Sequence, residues 1–328
     1  MSGLFSAIIV VLLLLSQSAT AEVKIGLSAS NDPENSGTFI WASAFADVLE
    51  TAGVATSIYP SSSLGNELLR AEQVMLGLLE VNVCGTQEIE LFTDLMAAIE
   101  LPFLFRDADE MDRLVDETDF LARVNERAVE YGVRVVDFVY LGSMNGLFTA
   151  REPIRTVEDV KRFRLRAMVS EQLAYFEAWD GSGAQVAWEE VPQALQTGIV
   201  DGYMNPPIVA VMFGHGGQLD YFTDLRITPS VRIVSVSEAW YRGLSGDERK
   251  AVERALRAAR TANRQWTQTS EQRDFEALAS IGIDVVHISQ PARQAFQEAL
   301  LPLYPQQVSD EALQQLLGYV RELRTKEQ

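Results

Sequence analysis

Histidine and cysteine are nearly absent from this chain: it has two histidines, His215 and His287, and one cysteine, Cys84. No intrachain disulfide can form, and a tetrahedral site of soft and imidazole ligands cannot be assembled. Cys84 ends the apolar run 81–84 and is expected in a core. Positive charge is also scarce. Against 46 acidic residues stand 27 lysines and arginines, a formal charge of −19. That balance excludes a nucleic-acid partner, whose phosphates demand a basic face, and argues against docking on anionic lipid. It says little about a small ligand, because one buried arginine can hold an anion inside an acidic protein.

The usual catalytic signatures are missing as well. There is no Gly-x-x-x-x-Gly-Lys-Ser/Thr loop and no dinucleotide fingerprint. Gly214-His215-Gly216-Gly217 has the look of an oxyanion loop, but no Gly-x-Ser-x-Gly elbow accompanies it. Acid pairs such as Glu189-Glu190 suit helix N-termini, where the dipole favours negative charge. No enzyme activity, no cofactor and no metal are expected.

The first residues carry an address. An apolar run over 4–15 precedes Ala19-Thr20-Ala21, with small residues at the −3 and −1 positions of a signal peptidase site. Cleavage is expected between Ala21 and Glu22, giving a soluble exported protein. The run is too short to cross a bilayer, which takes roughly 20 residues. No lysine or arginine precedes it, so an uncleaved anchor is the alternative.

The remainder of the 328 residues exceeds what one core usually organises, and two lobes are expected. Strand-like and helical runs alternate: strands over 23–27, 54–59, 81–84, 133–140, 163–166, 231–236 and 283–288, with helices over 39–50, 64–79, 109–131, 170–179 and 189–197. This is the grammar of an α/β fold with largely parallel sheets. Thr156-Val157-Glu158-Asp159 reads as a capping box. A helical stretch from Ser245 to about Ile281 carries an apolar face through Val252, Ala255, Leu256, Ala259 and Trp266. At 1.5 Å per residue it would reach on the order of 50 Å, long enough to lie across both lobes. With no low-complexity linker, the lobes should be joined by crossing strands at a hinge.

Three segments together point to a family. They are Tyr59-Pro60-Ser61-Ser62-Ser63-Leu64-Gly65-Asn66-Glu67, Leu101-Pro102-Phe103-Leu104-Phe105-Arg106-Asp107, and the run from Ala194-Leu195-Gln196-Thr197-Gly198 through Asp201-Gly202 to Asn205-Pro206. In content, order and spacing they resemble the DctP-type solute-binding proteins of tripartite ATP-independent periplasmic (TRAP) transporters, over nearly the whole chain after residue 21. The resemblance implies a two-lobed periplasmic-binding-protein fold, with hinge-crossing strands and a long helix spanning both lobes. It implies a periplasmic receptor that binds a small organic acid between the lobes and delivers it to membrane permease subunits. Lobe I is expected over 22–143 plus about 232–270, and lobe II over 144–231 plus about 271–328. A sensing module that signals to a membrane receptor is the alternative; a secreted hydrolase is a distant third.

The resemblance also places ligand-binding residues. Arg166 matches the arginine that pairs with the ligand carboxylate, a role its planar fork suits. Asn205 matches a ligand-contacting asparagine, although capping the helix after Pro206-Pro207 would be an ordinary alternative. Trp188 matches an aromatic that closes over ligand, or else is a core aromatic. From the other lobe, Ser28 and Asn31 after the first strand and Thr86 after Cys84 are candidate contacts, with turn or cap chemistry as the plain alternative. Two departures stand out. Tyr203-Met204 replaces the Gln-Glu pair common before the asparagine. Gly146 stands where many relatives carry a second arginine, just before Phe148-Thr149. With fewer fixed positive charges, a monocarboxylate, hydroxylated or zwitterionic, is expected over a dicarboxylate.

Overall fold

In a computed structural model of the chain, residues 22–327 are described. The leader and its cleavage site lie outside the described residues, apart from Glu22. Eleven strands build two sheets among those residues. They are β1 (Val23–Gly26), β2 (Thr56–Tyr59), β3 (Val81–Cys84), β4 (Val133–Tyr140), β5 (Gly146–Thr149), β6 (Arg164–Ala167), β7 (Ser182–Gln185), β8 (Gly202–Asn205), β9 (Tyr221–Asp224), β10 (Val231–Ser237) and β11 (Asp284–His287). The first sheet has the order β2-β1-β3-β10-β4, the second β11-β9-β5-β8-β6-β7. The sheets are parallel except at one strand each. β10 runs against β3 and β4, and β5 runs against β8 and β9. These are the strands that the chain enters straight after changing lobes, without a helical crossover to restore direction.

Each sheet is covered on both faces. Alternation along the strands sends Val133, Val135 and Ile233 into one core and Val139, Val234 and Val236 into another. In the second sheet Leu147 and Leu165 face one core, Phe148 and Tyr203 the other. The helix Gly37–Thr51 starts where the Ser36 hydroxyl accepts from the Phe39 amide, and buries Trp41, Ala42, Phe45 and Leu49 along one stripe. That stripe shares a core with Ala251, Val252, Ala255 and Ala259.

The long helical stretch does run from one sheet's core to the other's, but it breaks at Thr269 into Gly246–Gln268 and Ser270–Ser280. Ala259 packs under the first sheet and Leu278 under the second. The C-terminal helix Asp310–Thr325, expected with lobe II, instead packs Leu313, Leu316, Val320 and Leu323 into the first sheet's core beside Leu114 and Phe120. The helix expected over 64–79 covers only Glu67–Met75. Val74 is buried as expected, whereas Leu68 and Leu78 are exposed.

Two chain crossings lie side by side and form the hinge. Leu141 N donates to Ser230 O (2.9 Å), Asn145 N to Thr228 O (2.8 Å) and Ile227 N to Asn145 O (2.8 Å). The Ser230 hydroxyl accepts from Gly142 N (3.0 Å) and donates to Gly142 O (2.7 Å). These bonds tie the two segments to each other, and Ser143 N also donates to Asp274 Oδ2 of the helix Ser270–Ser280 (3.4 Å).

Candidate functional site: a cavity between the two sheets

Between the lobes lies a cavity of about 230 Å³ lined from both sides. Arg166, Trp188, Asn205, Met168 and Phe213 come from the second lobe; Ser28, Glu67, Gln87 and Val83 come from the first, with Arg232 on β10 beside the hinge.

Arg166 sits on β6 between Leu165 and Ala167, both packed in the core, and its backbone is in register with Tyr203 of β8. The side chain is 5% exposed. Its Nε donates to Val186 O at 2.9 Å, which fixes the plane of the guanidinium, and the group lies 5.5 Å from the Trp188 ring. Among the described residues its two terminal nitrogens have no hydrogen-bond or ion-pair partner, and the residue lines the cavity. Burial, helped by the charge of Arg232, pulls its pKa down to about 10. It therefore remains charged at neutral pH, with two parallel donors available to a carboxylate.

The wall beside it is aromatic. Trp188 meets Tyr203 edge-on at 5.9 Å and Phe213 at 4.8 Å. Behind them Tyr203 Oη and His215 Nδ1 are 2.9 Å apart, and burial lowers the His215 pKa to about 4. His215 is thus a neutral partner for a buried phenol. The His-Gly-Gly run belongs to this aromatic cluster. Asn205 ends β8 and lines the cavity, and the helix after it (Ile208–Met212) takes Pro207 at its cap position. The asparagine amide makes no cap bond.

The first lobe contributes a charged network that sequence reading missed. Arg70 is completely buried and donates to Asn82 Oδ1 (2.9 Å), Gly65 O (2.6 Å) and Ser28 Oγ (2.8 Å). Ser28 in turn donates to Glu67 Oε1 (2.8 Å). Burial pushes the Glu67 carboxyl up, but Arg232, Ser28, Arg70 and the Gly85 amide together hold it below the usual range. Arg232 Nη1 is 3.8 Å from Glu67 Oε2. A lone arginine in the otherwise apolar run Val231-Arg232-Ile233-Val234 was the available signal for it.

The other expected contacts fall differently. Thr86 lines a smaller cavity of about 60 Å³ between the lobes, where its hydroxyl lies 2.7 Å from Glu90 Oε1 and 3.0 Å from Glu100 Oε1. Asn31 is exposed and lines neither cavity. Gly146 is directly opposite Asn205, and any Cβ there would run into the Thr223 carbonyl and the Phe222 ring. This backbone has no room for a second arginine at that position; the second guanidinium in the cavity comes from Arg232 instead.

Residues 28–311 match the family model of bacterial extracellular solute-binding protein, family 7 (DctP). The chain belongs to this family. It is 28% identical to the sialic acid-binding periplasmic protein SiaP of Vibrio cholerae over 88% of its own length and 89% of that protein. It is 24% identical to the 2,3-diketo-L-gulonate-binding periplasmic protein YiaO of Escherichia coli, over 80% of each chain. Among solved structures it is similar to a TRAP solute-binding protein of Sulfitobacter sp. NAS-14.1 with bound β-D-galacturonate, with a TM-score of 0.82 and 22% identity over 92% and 99% of the two chains. A second is the TRAP solute-binding protein of Sulfurospirillum deleyianum with bound succinate, with a TM-score of 0.80 and 21% identity over 90% and 98%. These likenesses show the two-lobed fold. Membership of the DctP family makes the chain a solute-binding receptor for transport, not an enzyme. No helix among the described residues is long and apolar enough to cross a membrane.

Proposed function

We propose that this protein is the periplasmic receptor of a TRAP transporter, exported by a cleaved leader, which closes on a small monocarboxylate and delivers it to membrane permease subunits. One observation carries the ligand class. The cavity holds two guanidinium groups, but Arg232 faces Glu67, whereas the terminal nitrogens of Arg166 face no anion. Arg166 is therefore the cavity-lining guanidinium offered to a carboxylate, and a ligand with a single carboxylate satisfies it. The related receptors named with sialic acid and galacturonate bear on this reading, since each of those ligands carries a single carboxylate. Asn205, Trp188 and Ser28 would complete the binding wall, with Thr86 acting from the adjoining cavity; the exposed Asn31 is not part of the proposed site. The hinge at 141–145 and 227–230 provides the motion, and closure would exclude water and strengthen the ion pair.

Thermal melting of the protein against mono- and dicarboxylates, with Arg166→Ala in parallel, tests the reading. Stabilisation by a monocarboxylate in the wild type only is the expected result. Tighter binding of succinate than of any monocarboxylate would overturn the ligand class.

A further inference from the structure

Positive charge is scarce in this chain, yet four of its 27 basic side chains converge on one recess away from the cargo cavity. Arg106, Arg226, Arg293 and Arg324 line a cleft of about 340 Å³ with Gln297 and two phenylalanines, and no acidic residue lines it. None of these residues lines either cavity described above. The cleft takes its walls from both lobes. Arg324 stands on the helix Asp310–Thr325 and Arg106 just before the helix Ala108–Glu117, both of which pack on the first sheet's core. Arg293 and Gln297 are one turn apart on the helix Gln290–Leu300, whose Phe296 and Leu300 are buried under the second sheet. Arg226 stands between β9 and the hinge.

The guanidinium groups are anchored but not saturated. Arg293 donates through Nε to Leu225 O and through Nη2 to Arg226 O, both at 2.9 Å, and its guanidinium carbon lies 5.4 Å from the centre of the Phe103 ring. Among the described residues no carboxylate stands within ion-pair distance of it. The buried Glu110 carboxylate is shared by Arg106 and Arg324, which reach it through Nε at 3.0 Å and 2.7 Å. Arg106 Nη2 also donates to Glu327 Oε2 (2.7 Å), Arg324 Nη2 to Leu104 O (2.9 Å), and Arg226 Nη1 to Glu271. Nη1 of Arg106, Arg293 and Arg324, Nε and Nη2 of Arg226, and the Gln297 amide remain without a hydrogen-bond partner among the described residues. Burial, and then the charge of Arg226, hold the Arg293 pKa below its usual range, although Asp224 pulls the other way. An anion in the cleft would relieve that repulsion.

We propose that this cleft is a second anion site, separate from the cargo cavity, and that it takes a small, multiply charged oxyanion of the phosphate or sulfate kind. Such an ion presents acceptor oxygens on every side, which suits guanidinium donors brought from two lobes and the segment between them. A halide carries one charge and no directed oxygens. The small volume of the recess favours an ion over an extended acidic peptide. Arg106 and Arg324 are 49% and 42% exposed along their side chains, so solvent and salt screen the site. Binding is therefore moderate, with a Kd of roughly 0.1–1 mM at low ionic strength.

Titration calorimetry of sulfate and of inorganic phosphate into the Arg166→Ala protein tests it, because that background removes the guanidinium of the cargo cavity. The expected result is one ion bound per chain, weakened at least about fivefold when NaCl rises from about 20 mM to about 200 mM. Chloride at equal ionic strength should not compete as a specific ligand. Gln297→Glu loses no hydrogen bond and sets a carboxylate into the cleft, so it should abolish binding. Arg293→Gln should weaken binding at least about fivefold. Thermal melts without anion report whether each variant is folded, and Gln297→Glu carries the test alone if Arg293→Gln, which loses its bonds to the Leu225 and Arg226 carbonyls, does not fold. No saturable heat up to about 10 mM of either ion, or binding that Gln297→Glu leaves intact, overturns the proposal. Binding of a short oligoglutamate peptide with neither ion bound also overturns it, and marks the cleft as a docking surface for an acidic partner.

Discussion

Replacing Arg166 with alanine is the sharpest perturbation the structure offers. Its guanidinium is held by one hydrogen bond to Val186 O and has no carboxylate within ion-pair distance among the described residues. Burial, and then the charge of Arg232, lower its pKa from 12.5 to about 10, although Glu189 and Glu67 pull the other way. At 1.36 kcal/mol per unit, carrying the charge costs the empty protein about 3 kcal/mol. A carboxylate placed against the two free nitrogens removes that penalty and adds two charge-assisted bonds. Losing one side of such a desolvated pair costs about 2–5 kcal/mol, or roughly 30-fold to several thousand-fold in Kd. The same reasoning predicts that the empty Arg166→Ala protein is no less stable than wild type, since an uncompensated buried charge has gone. Calorimetry and thermal melts of the two proteins, with and without ligand, separate these effects. Arg166→Lys should recover only part of the affinity, because an ammonium keeps the charge and loses the fork. A loss of less than threefold in folded Arg166→Ala would refute the assignment of Arg166 as the carboxylate clamp.

Asn205→Asp should weaken binding more than Asn205→Ala, because it sets a carboxylate against the ligand's own; equal losses would remove Asn205 from the anion end of the cavity. Arg70→Met should destabilise the fold by about 3–5 kcal/mol in urea unfolding, since Asn82 Oδ1, Gly65 O and Glu67 lose a buried partner together. Burial first, then the nearby Glu90, raises the Glu100 carboxyl to about 7 in the folded protein, against about 4.3 for a free glutamate. A folded pKa above the unfolded one means the native state binds the proton more tightly. The stability it contributes is therefore full below about pH 4 and lost as pH rises through 7, by at most about 4 kcal/mol. Melts at pH 5 and pH 8 should differ in that direction, and Glu100→Gln should shrink the difference; an unchanged difference would discount Glu100 as its source. Ser230→Ala breaks two bonds between the crossing segments and should lower stability by about 1–2 kcal/mol while leaving ligand preference unchanged.

Strands rich in β-branched residues announced themselves. Val133–Tyr140 and Val81–Cys84 stand where their apolar runs placed them. The strands that went unread are β5, β7, β8 and β9. Ser182–Gln185 is an edge strand of small and polar residues, largely unburied, with no apolar alternation to see. Gly146–Thr149 and Gly202–Asn205 each begin with a glycine, a residue that ordinarily weakens a strand. Each glycine sits where a neighbouring strand approaches closely: a Cβ on Gly202 would collide with the Phe148 carbonyl of β5, and one on Gly146 with the Thr223 carbonyl of β9. Leu68 and Leu78 misled in the opposite sense, because spacing on a helix identifies a face but not whether anything covers it.

The site shows the same limit from another side. Arg166 and Asn205 could be singled out because each stands in a segment with a recognisable neighbourhood. Glu67, Arg70, Gln87 and Arg232 stand on two helices and a strand separated by up to about 165 residues, and only the parallel packing of β1 beside β3 and the return of β10 brings them together. Counting arginines by sequence position therefore reached the proposed ligand charge for an incomplete reason. The vacancy at Gly146 is real, yet a second guanidinium arrives through the hinge strand, and the glutamate at the start of the Glu67–Met75 helix stands against it. What sets the ligand's charge is not how many cations surround the cavity but how many remain without an anion once the protein's own network has formed. By that measure Arg166, with no carboxylate within ion-pair distance among the described residues, stands apart from Arg70 and Arg232, which share Glu67.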